Sequence, residues 1–373
     1  MGELDRYHRQ ILLPGIGESG QKRLLGSHAL IVGCGALGTT IADALARAGV
    51  GTLTIVDRDT VELTNLQRQV LFEEADVEGV IPKAEAAGAK LRRVNSAITV
   101  NTHVEDFSHR NAERHAQGVD IILDGLDNFE TRYLLNDLAV RHGIPYIYGG
   151  AVATGGMSMA ILPHAQHRAQ PDARSSAQWT DDQATPCLRC VFPDAPPVGT
   201  TATCDTAGVL GPAVLTIAAH QVTQALKLLS GNPDAVDRSL FAIDVWENTT
   251  RRFDVSGARA AGECPCCVSG RFEFLTGDTA STTTSLCGRG AIQITPPAGS
   301  GGDGGLDLAA MAERLAAHGS FTHNGYLLHG RFDDLNGDAG PFELTLFPDG
   351  RAIIKGTTVA ETARGIYARY VGS

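Results

Sequence analysis

The chain has 373 residues, 43% hydrophobic and 20% charged, with 43 Gly and 16 Pro, which allows two or three domains and excludes a disordered or low-complexity protein. Its net charge of −11 gives no electrostatic footprint for duplex nucleic acid or an anionic membrane surface. The first ten residues carry no apolar leader core and no apolar run nears the roughly 20 residues of a membrane span, so a cytoplasmic protein with neither nucleic acid nor membrane as partner is expected.

Between about residues 26 and 150, β-like runs alternate with helical patterns: Ala29–Val32, Thr52–Val56, Ile98–Val104, Val119–Leu123 and Tyr146–Tyr148. Strands separated by helices imply parallel βαβ units with helices on both sheet faces. From 151 to 268 come the end of a small-residue run (Gly149 to Gly156), a polar stretch from His164 to Thr185 that reads as a long loop, a helical run from Val209 to Leu229, and β-like runs at Leu240–Val245 and Thr250–Val255. The remaining segment, 269–373, contains a Gly-rich linker (Gly299 to Gly305), a helix over Leu308–Ala317, a hairpin turning at Pro348-Asp349-Gly350 and a final helix over Val359–Tyr370. The expected fold is therefore α/β: a Rossmann-like, mainly parallel sheet with an antiparallel continuation and a clamped segment, followed by a small C-terminal α+β domain. Domains are expected at 1–268 and 269–373.

Gly33-Cys34-Gly35-Ala36-Leu37-Gly38 follows an apolar strand and opens a helix. Gly33, Gly35 and Gly38 permit a tight turn and close approach of backbone N–H groups, and the helix N-terminus favours a phosphate. Asp57 ends the next strand 24 residues after Gly33, where an acid commonly reads ribose hydroxyls. Asp57-Arg58-Asp59 leads to Asn65-Leu66-Gln67-Arg68-Gln69 and Pro82-Lys83, and Asp124-Gly125-Leu126-Asp127-Asn128 ends a predicted strand. A nicotinamide enzyme gains little from Arg68, Lys83 and two strand-end carboxylates around one phosphate turn. A triphosphate gains much: the cations offset charge that builds up in phosphoryl or nucleotidyl transfer, and Asp127 can hold Mg²⁺ bridging the phosphates. Taken singly, Arg68 reads as a surface ion pair, Lys83 as a solvated helix start and Asp124 as an N-cap.

Cys187-Leu188-Arg189-Cys190 and Cys264-Pro265-Cys266-Cys267 each present thiols at the spacing that lets one turn supply two ligands of a tetrahedral Zn²⁺. The third cysteine, Cys266, makes the second pair ambiguous, and spacing favours Cys264 with Cys267. Cys204 lies just before the predicted helix at Val209, where a helix N-terminus can favour thiolate; the alternative is a buried packing group. Cys34 reads as packing within the glycine turn.

Arg6-Tyr7-His8-Arg9-Gln10-Ile11, the 33–38 turn, Asn65 to Gln69, Pro82-Lys83, Asp124 to Asn128 and Thr185-Pro186-Cys187-Leu188-Arg189-Cys190 occur in one order. In this the chain resembles, from about Leu4 to Val268, the ThiF/MoeB family of sulfur-carrier adenylyltransferases related to ubiquitin-activating enzymes. The resemblance implies that ATP adenylates the C-terminal glycine of a small ubiquitin-like sulfur carrier ending in Gly-Gly, releasing pyrophosphate, in molybdopterin, thiamine or related thiocarboxylate biosynthesis. It implies a catalytic set of Arg9, Arg68, Lys83 and Asp127, with Cys204 as a covalent link in some relatives. The nucleotide-binding set would be Gly33, Gly35, Gly38, Asp57, Asp59, Asn65, Arg68, Gln69, Lys83, Asp127 and Asn128. Arg9 resembles an arginine supplied to the partner subunit's ATP, which implies a homodimer, and the cysteine pairs hold zinc in the family. Where the family often has Asp-Cys-Thr-Asp-Asn this chain has Asp-Gly-Leu-Asp-Asn, a change expected to matter little.

The Gly149–Gly156 stretch is expected to leave a narrow path for the carrier tail, so that bulk at Gly155 would block carrier adenylation and spare ATP binding. The C-terminal segment carries no rhodanese pattern: Cys287 lacks the persulfide-loop context and reads at most as a relay thiol, and the segment's role is a stability module or a docking surface for carrier or a sulfur donor (a sulfurtransferase or desulfurase). Other classes stay open. A tRNA threonylcarbamoyladenosine-cyclising enzyme shares the ATP site, but the charge and the cysteine pairs argue against it. A non-catalytic partner subunit would not need Arg68, Lys83 and Asp127 together.

Overall fold

The structure, a computed structural model, describes residues 4–164, 179–193, 208–260, 263–277, 283–286, 290–295, 306–337 and 340–371. They fall into two units, 1–279 and 280–373. The first begins with α1 (His8–Ile11), α2 (Gly17–Gly26), β1 (His28–Val32), α3 (Ala36–Ala48) and β2 (Thr52–Val56). It continues through α4 (Glu74–Glu78), α5 (Lys83–Val94), β3 (Thr99–His103), α6 (Ala112–His115), β4 (Ile121–Asp124), α7 (Phe129–His142) and β5 (Tyr146–Val152). The described remainder is β6 (Gly155–Ile161), α8 (Leu188–Val191), α9 (Gly211–Leu229), β7 (Leu240–Asp244), β8 (Thr249–Phe253) and α10 (Glu273–Thr276).

The sheet order is β3-β2-β1-β4-β5-β6-β7-β8. β3 to β5 run parallel and β5 to β8 antiparallel, the expected mainly parallel sheet with its antiparallel continuation. The inner strands are mostly apolar because both faces are covered. Ala29, Ile31, Leu53, Ile55, Ile121 and Leu123 pack with Leu37, Ile41 and Leu45 of α3 and with α9. Their sequence neighbours Leu30, Val32 and Ile122 point to the opposite face and pack with Tyr133, Leu135 and Leu138 of α7. Side chains of this size each contribute about 1.5–3 kcal/mol on burial.

Helix α3 stops at Gly49, whose φ of 82° places it in the left-handed region. A Cβ there would lie 2.5 Å from the Tyr7 ring, so the same glycine ends the helix and seats the N-terminal segment. Asn95 completes that seat by donating to the Tyr7 hydroxyl and the Ala46 carbonyl.

Of the stretch read as a long loop, residues 165–178 lie outside the described residues, but its end is anchored. Trp179 is buried and its indole donates to the Pro163 carbonyl at 2.9 Å. The Thr185 hydroxyl accepts from Leu162 N and donates to the Ala160 carbonyl. These bonds tie the chain to the end of β6, an order that the polar composition hid.

The second unit contains β9 (Thr283–Leu286), β10 (Ala291–Ile294), α11 (Leu308–Leu315), β11 (Gly319–His323), β12 (Leu328–Gly337), β13 (Gly340–Leu346), β14 (Ala352–Lys355) and α12 (Ala360–Tyr370). Its sheet, in order β11-β12-β13-β14-β10-β9, is antiparallel throughout. Leu328, Phe332, Leu344, Leu346 and Ile354 share a core with Leu308, Met311 and Leu315 of α11 and Ile366 of α12. Both helices and the β13–β14 hairpin match the expected positions.

Candidate active site

Strand order reverses between β1 and β4, so the loops leaving their carboxyl ends diverge and open a crevice. The 33–38 turn leaves β1 and the 124–128 loop leaves β4, and the two touch backbone to backbone. A Cβ on Gly125 would lie 2.1 Å from the Gly33 oxygen, and one on Gly38 1.9 Å from it. The departure at Gly125 therefore matters more than its side chain suggests, since a cysteine would not fit this approach of the loops.

Asp57 closes the turn. One carboxylate oxygen accepts from Cys34 N at 2.6 Å and the other from Asp59 N at 2.7 Å. Burial pushes this carboxyl up, against the pull of Lys83. Lys83 is 3% exposed at the start of α5, and its ammonium donates to Asp59 at 3.0 Å. Asn65 is buried and accepts from Glu62 N, closing a reciprocal cap. Gln69 is buried beside the turn, its Nε2 3.9 Å from where a Gly35 Cβ would sit, and its Oε1 has no hydrogen-bond partner among the described residues. Arg68 is half-buried and donates to the Thr64 carbonyl at the surface.

Asp127 is exposed next to Asn128, which caps α7 by accepting from Thr131 N at 2.9 Å. The N-cap of α7 is thus Asn128, where Asp124 was one reading. Asp124 is fully buried. It accepts from the Tyr146 hydroxyl at 2.7 Å and from Leu126 N at 2.9 Å, and lies 3.3 Å from Arg132 Nε. Arg132 also donates to the carbonyls of Leu126 and Gly149. Burial works against the charge on Arg132, but Asp124 together with Tyr148, Tyr146 and Asp127 outweighs it, so the guanidinium is held charged. The pair fixes the loop that carries Asp127. Arg132→Met leaves Asp124 buried without its cation and is expected to cost about 3–5 kcal/mol, measured by urea unfolding. The Asp124→Asn/Arg132→Met double variant should recover some of that loss, and a single-variant loss under about 1 kcal/mol would contradict the pairing.

Arg9 is exposed on α1 and makes no hydrogen bond or ion pair among the described residues. Cys204 and Cys287 lie outside the described residues. Gly155 pairs within β6, where a Cβ would lie 2.7 Å from the Ile243 oxygen of β7. Bulk at Gly155 would first push β6 and β7 apart, so it does not isolate a carrier path. Reading residue types alone missed Arg132, because a lone cation in a helix looks like a surface group until its buried partner is seen. It also missed Gln221 of α9, fully buried, which donates to the carbonyls of Asp124 and Ile147 and so holds β4 and β5 from below.

On the α7 face of the sheet four thiols converge. Cys187 Sγ is 3.9 Å from Cys190 and 3.6 Å from Cys264, and Cys190 is 3.3 Å from Cys267. All four sulfurs lie within 4.8 Å of one another. Hydrogen bonds from Cys187, Cys190 and Cys267 pull Cys264 well below the usual thiol range. Cys266 stands apart, buried and accepting from Asn136 Nδ2 at 3.3 Å. The four-sulfur donor set fits a metal ion of the zinc kind. The glycine turn and the buried Lys83 ammonium fit a nucleoside triphosphate.

Comparisons with known proteins agree with this geometry. The ThiF family profile matches residues 7–266. The sulfur carrier protein ThiS adenylyltransferase of Bacillus subtilis is 41% identical over 98% of this chain and 99% of its own length. The SAMP-activating enzyme E1 of Haloferax volcanii is 37% identical over 72% of this chain and 90% of its own length. The crystal structure of E. coli MccB with ATP shares the fold, with a TM-score of 0.54 at 21% identity over 70% of this chain and 74% of that one. With the profile spanning well over half of the sequence and one relative aligned along nearly its whole length, the chain belongs to the ThiF family.

Proposed function

We propose that the chain is an ATP-dependent adenylyltransferase acting on a ubiquitin-like sulfur-carrier protein of the ThiS kind. The observation that carries this is the match to the ThiS adenylyltransferase, which runs through both units, whereas the matches to the SAMP-activating enzyme and to MOCS3 of Dictyostelium discoideum extend over only 72% and 63% of the chain.

In the reaction, an oxygen of the carrier's terminal glycine carboxylate attacks the α-phosphorus of ATP. The bond from that phosphorus to the bridging oxygen breaks, pyrophosphate leaves with the electron pair, and a carrier acyl-adenylate remains. Anion meets anion, so the protein must supply cations and alignment, and no covalent nucleophile is needed. The 33–38 turn presents backbone to the phosphates and Asp57 stands at the ribose. Lys83, Arg68 and Asn65 serve the phosphates. Asp127 would hold Mg²⁺, which neutralises phosphate charge when bound. Arg9 reaches the site of a second copy of the chain, making the active unit a homodimer. Cys187, Cys190, Cys264 and Cys267 hold Zn²⁺ as a structural clamp, which suits a reducing, cytoplasmic setting. No helix among the described residues is long and apolar enough to cross a membrane.

ATP–pyrophosphate exchange with a panel of carriers ending in Gly-Gly tests the reading. Exchange is expected with a ThiS-like carrier; silence with every carrier, from folded zinc-loaded protein, would sink it.

A further inference from the structure

Besides the four thiols, one other group of metal-ligand side chains converges among the described residues. His103 ends β3, Glu105 follows two residues on, and His115 ends α6. Glu105 Oε1 lies 2.9 Å from His115 Nε2 and 3.7 Å from His103 Nδ1, and one ligand atom from each residue lies within 4.8 Å of the others. We propose that His103, Glu105 and His115 form a second metal site, which takes a divalent ion of the zinc, cobalt or nickel kind.

Imidazole with carboxylate selects such borderline ions over calcium or magnesium. A tetrahedral ion with nitrogen and oxygen ligands at about 2.0–2.1 Å sets its ligand atoms roughly 3.3 Å apart, and the two measured separations bracket that spacing. The ligands are also supported from behind. Asn111 Nδ2 donates to the other carboxylate oxygen, Glu105 Oε2, at 2.9 Å, and to the Asp106 carbonyl at 2.8 Å. The buried His115 ring is held edge-on to His103 and beside Phe107. Such outer contacts orient metal ligands and strengthen binding.

A resident cation competes for the position. Arg114 Nη2 lies 2.6 Å from Glu105 Oε1 and 3.3 Å from His115 Nε2. Its side chain is 61% exposed, so it can turn into water while the buried histidine stays in place. Three protein ligands leave a fourth position for water. The site adjoins the nucleotide crevice through bonds already formed: Asp57 N donates to the His103 carbonyl, and Arg58 donates to Asp106 at 2.8 Å. A bound ion would thus stiffen that wall.

The test uses the full chain, free of any affinity tag and with its thiol cluster filled with zinc, titrated with Co²⁺. A second, saturable equivalent should bind, with visible ligand-field bands and no thiolate-to-cobalt charge-transfer band, and should raise Tm. His103→Ala, a change at a half-buried ring, and His115→Ala should each lose that equivalent and keep the zinc. Arg114→Ala should bind cobalt several-fold more tightly. No second equivalent in the wild-type protein, or an undiminished one in folded His103→Ala, overturns the proposal. Adenylation plays no role in these readouts, so the site stands or falls apart from the proposed activity.

Discussion

Lys83→Ala is expected to abolish carrier-dependent ATP–pyrophosphate exchange, by at least about 10²–10³-fold, the loss typical of removing one preorganised charge from a reaction centre. The buried ammonium answers Asp59 at 3.0 Å and pulls on Asp57. Its loss therefore leaves two carboxylates facing the proposed phosphate position. Nucleotide binding should weaken together with turnover, and Lys83→Arg should rescue little, because a planar fork does not replace a point charge in so tight a seat. Arg9→Ala is expected to be inactive for a different reason, since in the proposed homodimer its side chain serves the neighbouring subunit. Mixing the two inactive chains should then restore about a quarter of wild-type exchange, because half the dimers pair unlike chains and each of those has one intact site. No recovery on mixing would refute the shared site, and full activity of Lys83→Ala would refute the catalytic assignment.

Cys187→Ser is expected to lose one equivalent of zinc and at least about 3 kcal/mol of stability, roughly 6–12 °C in Tm for a unit of this size. Cys264→Ser should behave alike, as should strong chelation of the wild-type protein. Cys266→Ser should keep its zinc, because Cys266 bonds to Asn136 and stands outside the four-sulfur group. Metal analysis beside differential scanning calorimetry reads both effects. A Cys187→Ser chain that melts like wild type would remove the clamp from the account.

Much of the first unit could be read from its residues because one physical signal dominated each element. His28–Val32 and Thr52–Val56 are short apolar runs bounded by polar or glycine positions, and both became strands buried on two faces. The crevice was legible for the same reason, since Gly33, Gly38 and Asp57 mark a tight turn and a strand end. The Asp124–Arg132 pair was hidden, because nothing in the spelling of α7 distinguishes a cation that turns inward from one that faces water. In the second unit β11 and β12 escaped notice. Ser320, Thr322, His329 and Arg331 interrupt their apolar positions, and Gly319 and Gly330 sit where a Cβ would strike the neighbouring strand's backbone. Those glycines look like loop formers and are in fact close-packing residues inside a sheet.

The thiol cluster also bears on how the chain finds its fold. A metal held by the four sulfurs would fasten α8 to a turn that follows β8, and the intervening polypeptide, with α9, β7 and β8, would become a closed ring once the ion is in place. Ring closure removes freedom from the denatured ensemble, and the entropy withheld grows with the logarithm of ring length. Early capture of the ion would therefore shorten the search by which β7 meets β6. Refolding should accordingly be faster when zinc is present from the first moment than when it is added after collapse.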